Sequence, residues 1–261
     1  MICRLMTTDL DIRFEQELKR LRSPAARVHE TQEPCEDVLG SFIGGHPYLE
    51  AEREWPVCCF CHRPMSFTVQ LHARDHGIIL PERLTLLSLF VCNHEDCKRR
   101  CSLSYAEHGE NFRVYAYANP APSKHRARSI PAGQPEKVRR RLRFEEGWSL
   151  PDWTIVEARD PLGILARWQA EGVTNPGSRY ARVSRKVCPV PIDDAFKRFV
   201  GGWPAWTNLS DKTPLCAGEP MLHLFQVWDS LGGIRFYEQA SLFYCPLHPS
   251  DDEFELVFDY T

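Results

Sequence analysis

Two close cysteine pairs, Cys58-x2-Cys61 and Cys92-x4-Cys97, lie thirty residues apart and restrict what this chain can fold into. A tetrahedral zinc site takes four thiolates, two from each of two tight turns, and the segment between must then fold back on itself. Residues 65–71 (Met-Ser-Phe-Thr-Val-Gln-Leu) and 84–91 (Leu-Thr-Leu-Leu-Ser-Leu-Phe-Val) are rich in β-branched, aromatic and aliphatic side chains and are predicted strands. A knuckle, a strand out, a strand back and a second knuckle form a zinc-stapled hairpin, so Cys58, Cys61, Cys92 and Cys97 are the expected ligands and Zn the expected metal. Cys59, His62, His94 and Cys101 lie within reach as alternative donors. Redox use of Cys-x-x-Cys calls for a surrounding βαβ pattern, which is not present here.

A second feature is an internal repeat. Residues 34–49 run Pro-Cys-Glu-Asp-Val-Leu-Gly-Ser-Phe-Ile-Gly-Gly-His-Pro-Tyr-Leu, and residues 191–206 run Pro-Ile-Asp-Asp-Ala-Phe-Lys-Arg-Phe-Val-Gly-Gly-Trp-Pro-Ala-Trp. The acidic pair, the glycines and the proline keep their order without a gap. Pro64-Met65 with Gln70 then returns as Pro220-Met221 with Gln226, and residues 89–92 (Leu-Phe-Val-Cys) return as residues 242–245 (Leu-Phe-Tyr-Cys). Three blocks in one order at nearly constant offset predict two copies of one unit. Each copy is expected to run loop, strand, strand, strand, with last strands at residues 111–118 and 254–260. The Gly-Gly-x-Pro segments suit tight turns with positive φ. Gln70 and Gln226, set in apolar runs, are expected to be buried amides satisfied by nearby backbone. In the second copy Cys216, Glu219, Cys245 and His248 make a degenerate, second candidate metal site.

The rest of the chain is divided by these repeats. Residues 1–33 are read as an N-terminal helix and linker: Leu10, Phe14, Leu18 and Leu21 share a helical face, Thr8-x-x-Asp11 caps it, and Ser23-Pro24 stops it. Residues 34–119 are the first repeat, 120–190 a basic linker and connecting segment, and 191–261 the second repeat, the two repeats packing as one body. In the linker Lys124, Arg126, Arg128, Lys137, Arg139, Arg140, Arg141 and Arg143, with interspersed prolines, predict a mobile, protease-sensitive surface loop. No aromatics are interleaved with these basic residues, so nucleic-acid binding is a lesser reading. Residues 161–171 are expected to form a short helix.

Composition is that of a globular protein, 43% hydrophobic and 26% charged with a net charge of −3, and its eleven cysteines suit a reducing compartment. With no leader-like start and no apolar run of spanning length, a cytoplasmic protein with no membrane contact is expected. The fold class that follows is mainly β (α+β): an internally duplicated, pseudo-two-fold β-sheet fold with a zinc-stapled hairpin and few short helices.

The paired Gly-Gly-x-Pro, the Pro-Met, the Gln and the hydrophobic-Phe-x-Cys block together resemble the bacterial YwqG-like family of unknown function. The resemblance covers residues 34–119 and 191–261, is closest over 199–260, and implies a duplicated β-rich fold. The cysteine knuckles of the first copy are also similar to the programmed cell death protein two family, whose members are dedicated chaperones of a ribosomal protein. The first resemblance implies a fold and no reaction, and the second implies chaperone-like capture of a protein; with the cysteine site, the expected function is a non-catalytic zinc-binding protein-interaction module, client-binding or immunity-like. Tyr48, Trp203 and Trp206, the aromatics of the two glycine loops, are the expected partner-binding residues. The alternative is a metal-dependent hydrolase built on Cys216, Cys245 and His248 with Glu219 as base.

Overall fold

In the computed structural model the apolar runs are strands covered on both faces, and side-chain alternation decides which layer each residue joins. In Leu86–Val91, for example, Leu87, Leu89 and Val91 enter one core while Leu86 and Phe90 enter another. The structure describes residues 9–78, 80–98, 110–126, 129–131, 138–188, 198–207, 210–231, 234–248 and 254–259. Thr8, Cys101, Arg128, Lys137, Tyr260 and the 191–197 part of the repeat lie outside them.

In chain order the strands are β1 (Ser23–Pro34), β2 (Phe42–Ile43), β3 (Ser66–His72), β4 (Leu86–Val91), β5 (Phe112–Tyr117), β6 (Arg140–Ser149), β7 (Arg198–Gly201), β8 (Leu215–Cys216), β9 (Glu219–Pro220), β10 (Leu222–Leu231), β11 (Ile234–Tyr244) and β12 (Phe254–Asp259). The helices are α1 (Asp9–Arg20), α2 (Glu95–Lys98), α3 (Trp153–Arg159), α4 (Ile164–Ala170) and α5 (Pro176–Val187). Among the described residues ten strands form one sheet in the order β12-β11-β10-β7-β1-β6-β2-β3-β4-β5, and β8 pairs with β9 separately. The mainly β class expected from the sequence holds.

The sheet reads alike from its two ends. Phe42 faces Gln70 and Gln70 faces Ser88; correspondingly, Phe199 faces Gln226 and Gln226 faces Ser241. A register shift falls between Phe67 and Val69 in β3 and between His223 and Phe225 in β10. The glutamines do the same work in each half. Gln70 Oε1 accepts from the Tyr48 amide at 2.7 Å and Ser88 Oγ at 3.3 Å, and Gln226 Oε1 accepts from the Ala205 amide at 3.0 Å and Ser241 Oγ at 3.3 Å. Gly44, Gly45, Gly201 and Gly202 all have positive φ, the conformation expected of both turns.

Two expectations need correction. Residues 23–34 are not a linker: they form β1, a central strand paired to β6 and β7. Nor is the whole basic run a loop. Arg140, Arg141 and Arg143 lie in β6, where Leu142 is buried and Arg141 and Arg143 alternate with Leu142 and Phe144. Arg140 and Arg198 pair with Glu30, Arg143 with Glu33, and the Arg139 guanidinium lies 5.1 Å from the Phe42 ring centroid. Opposed acidic and basic strands hold their long side chains over the sheet, which a solvated loop would not do. The protease-sensitive segment therefore cannot extend through residues 139–143. The helix expected over residues 161–171 is α4, preceded by a 3₁₀ turn at Pro161–Gly163.

Phe14, Leu18 and Leu21 of α1 and its exit bury against Trp168, Tyr180 and Val183, with the Phe14 and Trp168 rings stacked at 3.8 Å. Asp11 accepts two bonds from Arg182 at 2.6 and 2.7 Å, and this holds its carboxyl below the usual range.

One difference between the two ends of the sheet predicts a pH effect. Phe67 packs between Phe42 and Phe90, and at the matching place His223 packs between Phe199 and Phe243, its Nδ1 3.0 Å from Gly201 O. Burial lowers the His223 pKa to about 4, against the opposing pull of the Gly201 and Gly202 backbone. The unfolded chain, titrating near the ordinary value of about 6.5, binds a proton over this interval that the native state refuses. Stability is thus full above that ordinary value and lost as pH falls toward the folded value, by about 2–3 kcal/mol for this residue. The His223→Phe variant is expected to lose less stability than the parent between pH 7 and pH 4.5 in urea titrations. Equal losses in the two proteins would show that His223 is not the source.

Candidate metal centre

The first cysteine pair sits in a hairpin closed by the Val57–Pro64 bridge and by the Met65 amide donating to Pro56 O at 2.9 Å. Within it the Cys58 amide donates to Arg63 O at 3.0 Å and the His62 amide to Cys58 O at 2.9 Å, while His62 takes a φ of +54°. This tight reversal aims the Cys58 and Cys61 side chains to one side. Cys92 follows β4 directly, its amide donating to Asn111 O at 2.7 Å, and Cys97 lies in α2. The four sulfurs lie within 4.8 Å of one another. Cys58 Sγ is 3.7 Å from Cys97 Sγ, and Cys61 Sγ is 3.7 Å from Cys92 Sγ.

Those separations carry chemical information. A disulfide would need about 2.05 Å. A tetrahedron with metal–sulfur bonds of about 2.3 Å has sulfur–sulfur edges of about 3.8 Å, so the cluster is spaced for a metal such as zinc. Cys58, Cys92 and Cys97 are buried and Cys61 is half-buried, beside Met65, Phe67, Phe90 and Trp55. Burial drives the Cys92 thiol far above its usual pKa. Burial pushes Cys61 up too, but bonds from the Arg63 backbone and the other three sulfurs outweigh it and hold that thiol low. A divalent ion is the ordinary means of holding several buried thiolates together.

Of the alternative donors, Cys59 is exposed, and His94 Nε2 lies 2.9 Å from Pro64 O, tying the second knuckle to the first. Neither belongs to the cluster.

A second group, Cys216, Cys245 and His248, has its ligand atoms within 4.8 Å of one another. His248 Nδ1 is 3.1 Å from Cys216 Sγ and 3.4 Å from Cys245 Sγ. Glu219 stands outside this group, a departure from the expected set whose cause is the length of the hairpin. Leu215 pairs with Pro220 as Val57 pairs with Pro64, and the Met221 amide donates to Pro214 O at 2.9 Å as Met65 does to Pro56 O. Between the paired ends lie residues 58–63 in the first hairpin and only 216–219 in the second. Cys216 thus takes the place of Cys58, Glu219 that of Arg63, and the position that bears Cys61 has no counterpart.

The aromatics of the glycine loops part company. Tyr48 is fully buried, its hydroxyl donating to Glu50 at 2.8 Å, so it is a core residue and not an exposed anchor. Trp203 and Trp206 are half-buried. Trp203 Nε1 donates to Leu21 O at 2.7 Å; Trp206 Nε1 donates to Asp211 at 3.2 Å and its ring stacks on Phe243. Trp203 also lines a cleft of about 420 Å³ with Arg159, Pro204, Met221 and Leu222, which cysteine and glycine spacing gave no means of finding.

Among the described residues no helix is long and apolar enough to cross a membrane. No curated protein matches the chain. Residues 41–237, most of the chain, match the family described as a domain of unknown function, DUF1963, and the chain belongs to that family.

Proposed function

We propose that this chain is a zinc-stapled, non-catalytic protein-interaction module, cytoplasmic and built from two copies of one unit. The observation that carries the metal reading is the buried four-cysteine cluster with sulfur–sulfur distances of 3.7 Å, close to the edge of a zinc–thiolate tetrahedron. Four thiolates fill the coordination sphere, which suits a structural ion and leaves no position for substrate. The duplication is supported by the matching registers and by the shared hydrogen bonding of Gln70 and Gln226. Membership of the DUF1963 family is compatible with the finer YwqG-like resemblance and with that to the programmed cell death protein two family.

Client or immunity-like binding is supported by the cleft beside Trp203, an apolar-lined depression with Arg159 at its margin. The hydrolase reading is second: three donors lie together in the second group, and Glu219, which is not one of them, would serve as its base rather than as a ligand. Nucleic-acid binding is the weaker reading, since Arg140 and Arg143 are already paired with Glu30 and Glu33. Purified protein is expected to carry zinc, and Trp203→Ala is expected to weaken client capture at least tenfold while leaving zinc content unchanged. Metal-free protein with the native melting temperature overturns the staple; capture unaffected by Trp203→Ala overturns the binding surface.

A further inference from the structure

We infer that Cys216, Cys245 and His248 form a second zinc site, one with three protein donors and a fourth position open to an exogenous ligand. The two sulfur–nitrogen distances, 3.1 and 3.4 Å, approach the edge of about 3.5 Å that zinc bonds to sulfur and imidazole nitrogen would set. The site occupies the place in the second half that the four-cysteine cluster occupies in the first, since Cys216 follows the Leu215–Pro220 pair and Cys245 directly follows β11, as Cys92 follows β4.

What differs is the turn. Ala217 and Gly218, at φ +52° and +87°, reverse the chain in two residues, and a Cβ added at Gly218 would meet nothing within 4 Å. Among the described residues, no donor stands at the place that Cys61 fills in the first site, because the turn between the paired ends is two residues shorter. Burial agrees: Cys245 is buried against Met221 and Phe243, Cys216 is half-buried and His248 is exposed.

Charge separates the two sites further. Four thiolates around Zn²⁺ leave a net double negative charge, which repels anions, whereas two thiolates and a neutral imidazole leave the second ion neutral. The second ion is the one able to accept an added anion or a soft side-chain donor, and exchange at an exposed three-donor site is faster than at a buried closed one.

The test is a Co²⁺ titration of the purified 261-residue chain after dialysis against a weak chelator that spares the buried site. Cobalt is expected to bind at one site per chain with thiolate charge-transfer absorption, and azide is expected to shift its visible ligand-field bands. Cys216→Ala should abolish both signals without changing the zinc that survives dialysis; His248→Ala, an exposed position, serves should the first variant fold poorly. No cobalt binding beyond the retained zinc overturns the site. Binding that ignores azide overturns the open position, all the more if Glu219→Gln restores the azide response. Loss of the dialysis-resistant zinc would instead count against the four-cysteine staple, so the two readings fail separately.

Discussion

Cys92→Ser is expected to release zinc from the first site and to lower the melting temperature by about 10–20 °C. The sulfur lies at the end of β4 among Cys58, Cys61 and Cys97, with its amide fastened to Asn111 O. Structural zinc is worth about 10–16 kcal/mol in small zinc-dependent peptides. Here the sheet supplies its own core, so a loss of about 5 kcal/mol is expected, and for a chain this size each kcal/mol moves the midpoint by about 2–4 °C. Exposed Cys59, one residue from a ligand, is the control: Cys59→Ser should stay within about 0.5 kcal/mol of the parent. Paired calorimetry and metal analysis decide the matter, and equal melting of the Cys92 and Cys59 variants would remove the staple from the account.

Gly202→Ala is the second large expected effect. At a φ of +72° an alanine already suffers the left-handed penalty of about 1–2 kcal/mol. Its Cβ would also overlap Ser149 Oγ and stand 2.9 Å from the Ala25 side chain and 3.0 Å from Ser149 Cβ. Ser149 Oγ accepts from the Trp203 amide at 2.8 Å, so the serine cannot turn away without stranding that donor. Overpacking adds about 1–3 kcal/mol. The sum, about 2–5 kcal/mol, should appear as a lower urea midpoint. Gly172→Ala, also at positive φ but with nothing within 4 Å, should incur only the backbone part. Equal losses at the two sites would show that contact with β6 and β1 is not what Gly202 protects.

The cysteines and the glycine pairs were legible because each imposes a local requirement: a thiolate needs a partner at fixed distance, and a left-handed backbone needs glycine. The glutamines were legible for a similar reason, since an amide inside an apolar run must be satisfied there. β1 and β6 were not. Ser-Pro-Ala-Ala-Arg-Val-His-Glu and Arg-Arg-Leu-Arg-Phe-Glu-Glu look like solvated chain, because each strand balances the other's charge across more than a hundred residues. Leu142 and Phe144 carry the alternation, but the surrounding arginines mask it. Tyr48 misled in the opposite sense: an aromatic beside a glycine turn reads as an anchor until the backbone folds it under Tyr117 and His125. The missing ligand of the second hairpin was invisible because Cys216-x2-Glu219 keeps the spacing of Cys58-x2-Cys61, while the loop between the paired ends is shorter.

The position of β1 in mid-sheet sets a timetable for synthesis. Its neighbours are β6 and β7, and Ser23 meets Ser149 across 126 residues of chain. At ribosomal rates of about 5–20 residues per second, β1 leaves the exit tunnel about 6–25 s before its first partner. During that wait its backbone donors and acceptors are an uncovered edge, the kind that templates intermolecular pairing. β3, β4 and β5 by contrast follow one another closely and can close around the four cysteines while the chain is still growing. A nascent-chain stall before residue 140 should therefore yield a metal-binding but aggregation-prone intermediate, with β1 and the β6-facing edge of β2 both left waiting.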